Sequence, residues 1–248
     1  MNLTRSASFS WEFIDPIWLI KVDQVTAQLG IELRSEETME HYFAAIDLHS
    51  HKVTKIKIPI KTDWWSTLLG IKGNQLIIGV YQNQRNPGPL TLIRYDWKSD
   101  IILEEIVNFQ LSEITDNFIK GKVLKEESYE ILEISLGEEK NIEEISLPSL
   151  LPFGTPAFDT VVKYLRRKNR EPKGEIGYLE VDNHILILYY VENNHLFDKY
   201  LLWLRGEKVV QEFILDLKVK GISAESFMVL AKKLIFVQNK NNINIYDL

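Results

Sequence analysis

No cysteine occurs among the 248 residues of this chain. That excludes disulfides, thiolate zinc sites and thiol nucleophiles, although it assigns no compartment. Methionine is scarce: three residues stand against 11 Phe, 10 Tyr and 6 Trp. The balance favours a rigid β core over an adaptable one. No apolar run nears the roughly 20 residues needed to cross a bilayer. The opening Met1-Asn2-Leu3-Thr4-Arg5 has no apolar signal-peptide core. Positive charge is in deficit, with 29 Lys and Arg against 35 Asp and Glu, a net charge of −6. Nucleic-acid binders select for basic surfaces. The expectation is a cytoplasmic protein with no nucleic-acid and no membrane partner.

What is present is ordinary for a folded domain: 45% hydrophobic and 26% charged residues. The order along the chain says more. One unit, a buried strand, a polar gap, a second strand, a tight turn and an outer strand, recurs. It reads Asn74 to Tyr81, Leu90 to Trp97 and Asp100 to Val107; again His184 to Val191, Tyr200 to Leu204 and Lys208 to Phe213; more weakly Phe118 to Leu124, Tyr129 to Leu136 and Asn141 to Ile145. Five triplets mark its third strand: Ile46-Asp47-Leu48, Tyr95-Asp96-Trp97, Ile134-Ser135-Leu136, Leu202-Trp203-Leu204 and Tyr246-Asp247-Leu248. They are spaced by 49, 39, 68 and 44 residues. Periods of about 40 to 50 residues with four strands each are the mark of propeller blades.

A second register agrees. Gly73-Asn74, Asp116-Asn117 and Asp182-Asn183 precede second strands, where tight hairpin turns need positive φ. The second strands Ile185 to Val191 and Leu234 to Val237 are apolar without alternation, which implies burial on both faces. The last copy, Glu225 to Leu248, runs out of chain before its outer strand. Phe9, Trp11 and Phe13 alternate with Ser8, Ser10 and Glu12 and supply a spare one. Pairing it there closes the ring and hides an edge. One helix is expected at Pro156 to Lys168, capped by Thr155, with Phe158, Val161, Val162 and Leu165 as its apolar stripe. The fold expected is a single all-β domain over residues 1–248. It is a small propeller of five four-stranded blades, closed by the N-terminal strand, with the helix inserted after the third blade. A six-bladed ring or a β-sandwich is the alternative.

Trp11-x-Phe13, Ile17-Trp18, Glu32-x-Arg34, Trp64-Trp65 and the Pro87 loop before Tyr95-Asp96 resemble an uncharacterised family of bacterial proteins of similar length, a domain of unknown function with propeller-like character. The resemblance covers about residues 8 to 107. It implies the fold and carries no activity.

Candidate chemistry is sparse. Asp15, Asp63, Glu175 and Glu225 stand where innermost strands begin, positions that ring the channel mouth of a propeller. Carboxylates gathered there could bind a cation or act as the acid and base of glycoside cleavage. Trp18, Trp64 and Trp65 stand beside them and could stack on sugars or anchor a peptide. Trp64 and Trp65, read as neighbours in a strand, point to opposite faces, so at least one belongs in the core. Glu32 and Arg34 share one strand face and are expected to pair with each other or with a neighbouring strand. His49 and His51 have the spacing of a shared metal site but no third ligand, and a solvated turn is expected. The basic residues around Lys163 to Lys173 are read as a solvated face. No cofactor and no metal are expected. The functional expectation is a non-catalytic binding or interaction module for an unknown protein or small molecule. Its surface comprises the loop at 82–89, Asn193-Asn194-His195 and the helix. A glycosidase-like or cation-dependent enzyme is the alternative.

Overall fold

Strands form along nearly the whole chain because apolar β-branched and aromatic residues come in short runs between turn residues. The computed structural model describes residues 5–59, 64–81, 88–115, 117–125, 128–137, 142–221 and 226–248, and the side chains of 124 and 125 are outside that description. The chain divides into two compact units, Asp15–Glu143 and Met1–Ile14 with Glu144–Leu248. Strand β1 (Phe9–Glu12) belongs to the second of these. Among the described residues no helix is long and apolar enough to cross a membrane.

The Asp15–Glu143 unit holds two antiparallel sheets. Strands β2 (Ile17–Asp23), β3 (Gln28–Arg34), β4 (His41–Asp47) and β5 (Lys52–Ile56) pair in sequence order. Strands β6 (Ser66–Lys72), β7 (Gln75–Tyr81), β8 (Leu90–Asp96), β9 (Ile101–Ile114), β10 (Phe118–Lys125) and β11 (Ser128–Ser135) make one six-stranded sheet, again in sequence order. Phe43, Ala45 and Ile56 from the first sheet and Leu68, Leu76 and Ile93 from the second form one buried cluster.

The third copy of the repeat therefore makes no sheet of its own. The reason lies in β9, whose outer-strand reading ended at Val107. The strand continues through Asn108, which has φ 57°, to Ile114. Ile101 and Ile102 pair with β8, Phe109 pairs with both neighbours, and Gln110 to Ile114 pair with β10. One strand thus ends one copy and begins the next. The bend lets Ile77, Leu90, Leu92 and Phe109 pack with Ile119 and Ile134 in a second buried cluster within the same sheet. Close packing at the bend needs a glycine. A Cβ on Gly121 would lie 2.6 Å from the Gln110 carbonyl and closer still to the Phe109 ring. Because a backbone oxygen cannot move aside as a flexible side chain can, Gly121→Ala is expected to cost about 1–3 kcal/mol. Chemical denaturation should show a lowered midpoint; an unchanged midpoint would mean that the bend relaxes freely.

The other unit is also built from two sheets. Strands β12 (Ile145–Ser146) and β13 (Ser149–Leu151) precede helix α1 (Pro156–Arg167). Strands β14 (Ile176–Val181), β15 (His184–Asn193), β16 (Leu196–Arg205) and β17 (Lys208–Val219) follow, and then β18 (Phe227–Leu230), β19 (Lys233–Gln238) and β20 (Asn242–Asp247). One sheet runs β13-β14-β15-β16-β17; the other runs β1-β20-β19-β18-β12. The N-terminal strand pairs as expected with the C-terminal one, Phe9 opposite Ile245 and Trp11 opposite Ile243. Helix α1 is capped by the Thr155 hydroxyl, which accepts from the Phe158 amide at 3.3 Å. Its Phe158, Val161 and Leu165 pack on Ile187, Tyr189, Leu202 and Leu204 of the sheet. The opposite face of that sheet contributes Leu186, Leu201 and Trp203 to a cluster with Phe227, Phe236 and Tyr246. Much of the basic face is locally paired: Arg166 with Glu171 at 2.7 Å, Arg170 with Glu212 at 2.6 Å and Lys173 with Glu192 at 3.8 Å.

One backbone hydrogen bond recurs. The amide that ends a third strand donates to the turn before the second strand: Leu48 to Ala27 (3.0 Å), Trp97 to Asn74 (3.1 Å), Leu136 to Asn117 (2.7 Å), Gly206 to Asn183 (2.9 Å) and Leu248 to Lys232 (3.0 Å). Ala27, Gly73, Asp182 and Lys232 in these turns have φ between 50° and 56°. The Asp47 and Asp96 carboxylates each accept two amides of the following turn, which is why acidic residues end these strands.

Candidate binding site

Strand β3 is buried along Leu29 to Leu33, and within it Glu32 is a carboxylate with no solvent exposure. A charge in such a place requires partners. Alternation puts Arg34 on the same face, and its Nε donates to Glu32 Oε1 at 2.6 Å. The other carboxylate oxygen accepts the Leu68 amide at 2.6 Å and the Thr67 hydroxyl at 3.1 Å. His41, paired with Arg34 across β3 and β4, brings its Nε2 to 3.6 Å from Glu32 Oε1. Burial raises the Glu32 pKa, but His41, the Leu68 amide and Arg34 more than offset it, and the carboxyl titrates below its usual range.

Arg34 also donates to backbone. Nη1 reaches the Trp64 carbonyl at 3.1 Å and Nη2 the Ser66 carbonyl at 2.9 Å. The guanidinium is thereby fixed with its carbon 4.8 Å from the Trp18 ring centre and 5.2 Å from that of Trp64. The two indoles lie 6.4 Å apart at 56°. The pairing of β2 with β3 shifts register between Ile17 and Leu19, the stretch that holds Trp18. The result is an indole 56% exposed, yet backed by a cation that three hydrogen bonds hold in place, one of them to the buried Glu32 carboxylate. Trp65, next in the turn, is 37% exposed.

The structure thus brings Trp18 and Trp64 together around the Glu32–Arg34 pair. Trp64 and Trp65 precede β6 in a turn instead of lying within a strand, and neither is a core residue. In a turn successive side chains do not alternate between two sheet faces, so neither ring is forced into the core. Arg34 as the element that props the indoles was missed; an arginine two residues from a carboxylate in an otherwise apolar strand was the available signal. Asp15 Oδ2 accepts the Tyr42 hydroxyl at 2.6 Å. Burial and the Asp15 carboxylate push the Tyr42 phenol well above its ordinary range. Asp63 and Glu225 lie outside the described residues, as do residues 82–87 of the loop and Asp116 of a turn. Glu175 is exposed and belongs to the other unit. His49 lies in the Asp47 turn, and among the described residues no group of three or more His, Asp or Glu is placed to hold a metal.

Residues 22–103 match a family model described as Domain of unknown function (DUF4905). The DUF4905 match begins within β2 and contains Glu32, Arg34, His41 and the Trp64-Trp65 turn, that is, every member of the network except Trp18. No curated protein matches the chain. The match spans about a third of the chain and assigns the network no activity.

Proposed function

We propose that this protein is a non-catalytic binding module on a propeller scaffold and that the Trp18 face is its contact surface. The observation that carries the reading is the exposed indole stacked on Arg34, which the buried Glu32 holds. An aromatic anchor that is already immobile loses little entropy when a partner covers it. Trp is also the side chain most enriched among residues that dominate binding energy. A propeller of five blades is supported by the triplet spacing, by the hydrogen bond that recurs in five copies and by the pairing of β1 with β20. In this reading β9 serves two blades.

The test compares full-length wild type with Trp18→Ala in co-purification. Trp18→Ala should keep the wild-type melting temperature to within about 3 °C, because an exposed ring contributes little to the core. It should lose at least one partner that wild type retains. An identical partner profile would overturn the reading. So would glycan hydrolysis by wild type that Asp15→Asn or Asp63→Asn abolishes, which would install the enzyme alternative.

A further inference from the structure

We propose that strand β11 is a dimer edge, pairing antiparallel with β11 of a second copy of this chain about a twofold axis at Ile131. The recurring hydrogen bond identifies the third strand of each repeat copy: β4, β8, β11, β16 and β20. Four of these carry a fourth strand on their outer side, namely β5, β9, β17 and β1. The last of those comes from the far end of the chain, so a fourth strand need not be the next one in sequence. Among the described residues β11 pairs with β10 alone and ends its sheet. The fourth strand expected at Asn141 to Ile145 does not supply the missing neighbour. The Glu143 amide bonds to the Gln24 carbonyl at 2.9 Å, and Ile145 pairs with Leu230 of β18.

The uncovered strand is apolar where it is open. Tyr129 is 62% and Ile131 66% exposed, and six of the eight β11 residues are exposed in all. The other four third strands hold two exposed residues between them. Leu132 and Ile134 anchor the opposite face of β11 on the cluster around Phe109. The main chain turns the same residues outward. The Leu136 amide donates inward to Asn117 at 2.7 Å, so along this unbroken ladder the even-numbered residues bond to β10. The N–H and C=O groups of Tyr129, Ile131 and Glu133 therefore face the open edge. Ser135, next in that series, already has its carbonyl bonded to Arg94 Nη1 at 3.5 Å. An edge of this kind is a template for another strand.

The residues of β11 select a second copy as the occupant. With Ile131 opposite Ile131, Tyr129 stands opposite Glu133 and Glu130 opposite Leu132. Three residue pairs then exchange two backbone hydrogen bonds each, which uses every open-edge group of Tyr129, Ile131 and Glu133. No like charges are directly opposed, and Glu133 has Lys120 across from it on β10. A register centred on Glu130 opposes two carboxylates. One centred on Leu132 sets Tyr129 against Ser135, whose carbonyl is taken. The favoured register lays Tyr129 and Ile131 of both copies side by side, so each copy covers the other's exposed apolar pair. The twofold pairing is closed and leaves neither β11 edge open for growth.

The chain has no cysteine, so an introduced thiol reports the pairing directly. Directly opposed, hydrogen-bonded residues lie about 5.5 Å apart at Cα, within reach of a disulfide. Ile131→Cys in the full-length protein should therefore form an interchain disulfide under mild oxidation. Tyr129→Cys should not, because its counterpart lies four residues away along the strand, about 13 Å. Sedimentation velocity at rising concentration should show the wild-type mass double. Ile131→Pro removes an edge donor and no bond to β10, and should weaken dimerisation roughly ten- to hundredfold. Ile131→Lys opposes two cations at the axis and should weaken it with the backbone intact. Circular dichroism confirms that the variants fold. Wild type that stays monomeric at its highest soluble concentration overturns the proposal, as does a dimer that survives both Ile131→Pro and Ile131→Lys. Equal cross-linking of Tyr129→Cys and Ile131→Cys rejects the register. A monomer that captures an extended segment of another protein, lost in Ile131→Pro, rejects the second copy as the occupant of this edge.

Discussion

Glu32→Gln is expected to destabilise the Asp15–Glu143 unit by about 3–5 kcal/mol, the range found when one member of a buried ion pair is removed. The substitution is nearly isosteric, so the loss comes from charge and hydrogen bonding. Arg34 keeps its place between two indoles without a counter-ion, and an amide nitrogen must face either the Arg34 guanidinium or the Leu68 and Thr67 donors. Urea unfolding followed by near-ultraviolet circular dichroism reports the change, because Trp18 and Trp64 both stack on the cation that loses its counter-ion. The same variant carries a pH signature. Glu32 titrates below its ordinary 4.5 in the folded chain. Its stabilisation is therefore complete above pH 4.5 and is lost as the pH falls through the lower native value. Glu32→Gln should remove that acid limb. A wild-type midpoint in the variant, or an unaltered acid limb, would mean that the pair contributes nothing to folding.

Trp203→Ala should cost the other unit about 3–5 kcal/mol. Trp203 is fully buried in β16 and packs edge-on to Tyr246 at 6.2 Å. Its indole N–H donates to His184 Nδ1 at 2.8 Å, and Arg5 covers the ring at 5.0 Å. Truncation leaves a cavity and an orphaned imidazole nitrogen together, which places the expected loss toward the upper end. The hydrogen bond requires His184 to be neutral with its proton on Nε2. Burial, then Arg205 and Arg5, lower its pKa below the ordinary 6.5. That contribution is full above pH 6.5 and declines as the pH drops through the native value, the sign expected for a base that is harder to protonate when folded. A denaturation series from pH 8 to pH 5 should show the decline in wild type and not in His184→Gln. A loss below about 1 kcal/mol in Trp203→Ala would place the ring outside the energetic core.

Local chemistry made much of this fold readable before any coordinates. Thr155-Pro156 announced the helix, Gly73-Asn74 and Asp182-Asn183 announced their turns, and the alternation of Phe9, Trp11 and Phe13 announced an edge strand that finds β20. Sheet membership was harder to read. The stretch Asn108 to Ile114 continues β9 through a single residue at positive φ, and whether a strand stops or bends there depends on Phe109 meeting Gly121 across the sheet. The site divides in the same way. Glu32 and Arg34 are two residues apart, so their pairing is local and legible. The Trp64 carbonyl that fixes Arg34 is 30 residues away, and nothing local in Trp64-Trp65 marks it as an acceptor. Asp15 stood out as a channel-mouth acid; its bond to Tyr42, 27 residues on, depends on how β2 and β4 align at one sheet end.

The pairing of β1 with β20 also sets an order of events during synthesis. Ser8 bonds to Ile245 across 237 residues. At about 5–20 residues per second, the ribosome takes roughly 10–50 s to deliver that partner. Residues 15–143 contain every strand their own sheets require and can complete them while the remainder is still being made. Through that interval Phe9 and Trp11 have no β20 to pair with, although the residues that follow them can complete their own sheets. Covering that edge is therefore a late step, set by a partner strand 237 residues downstream.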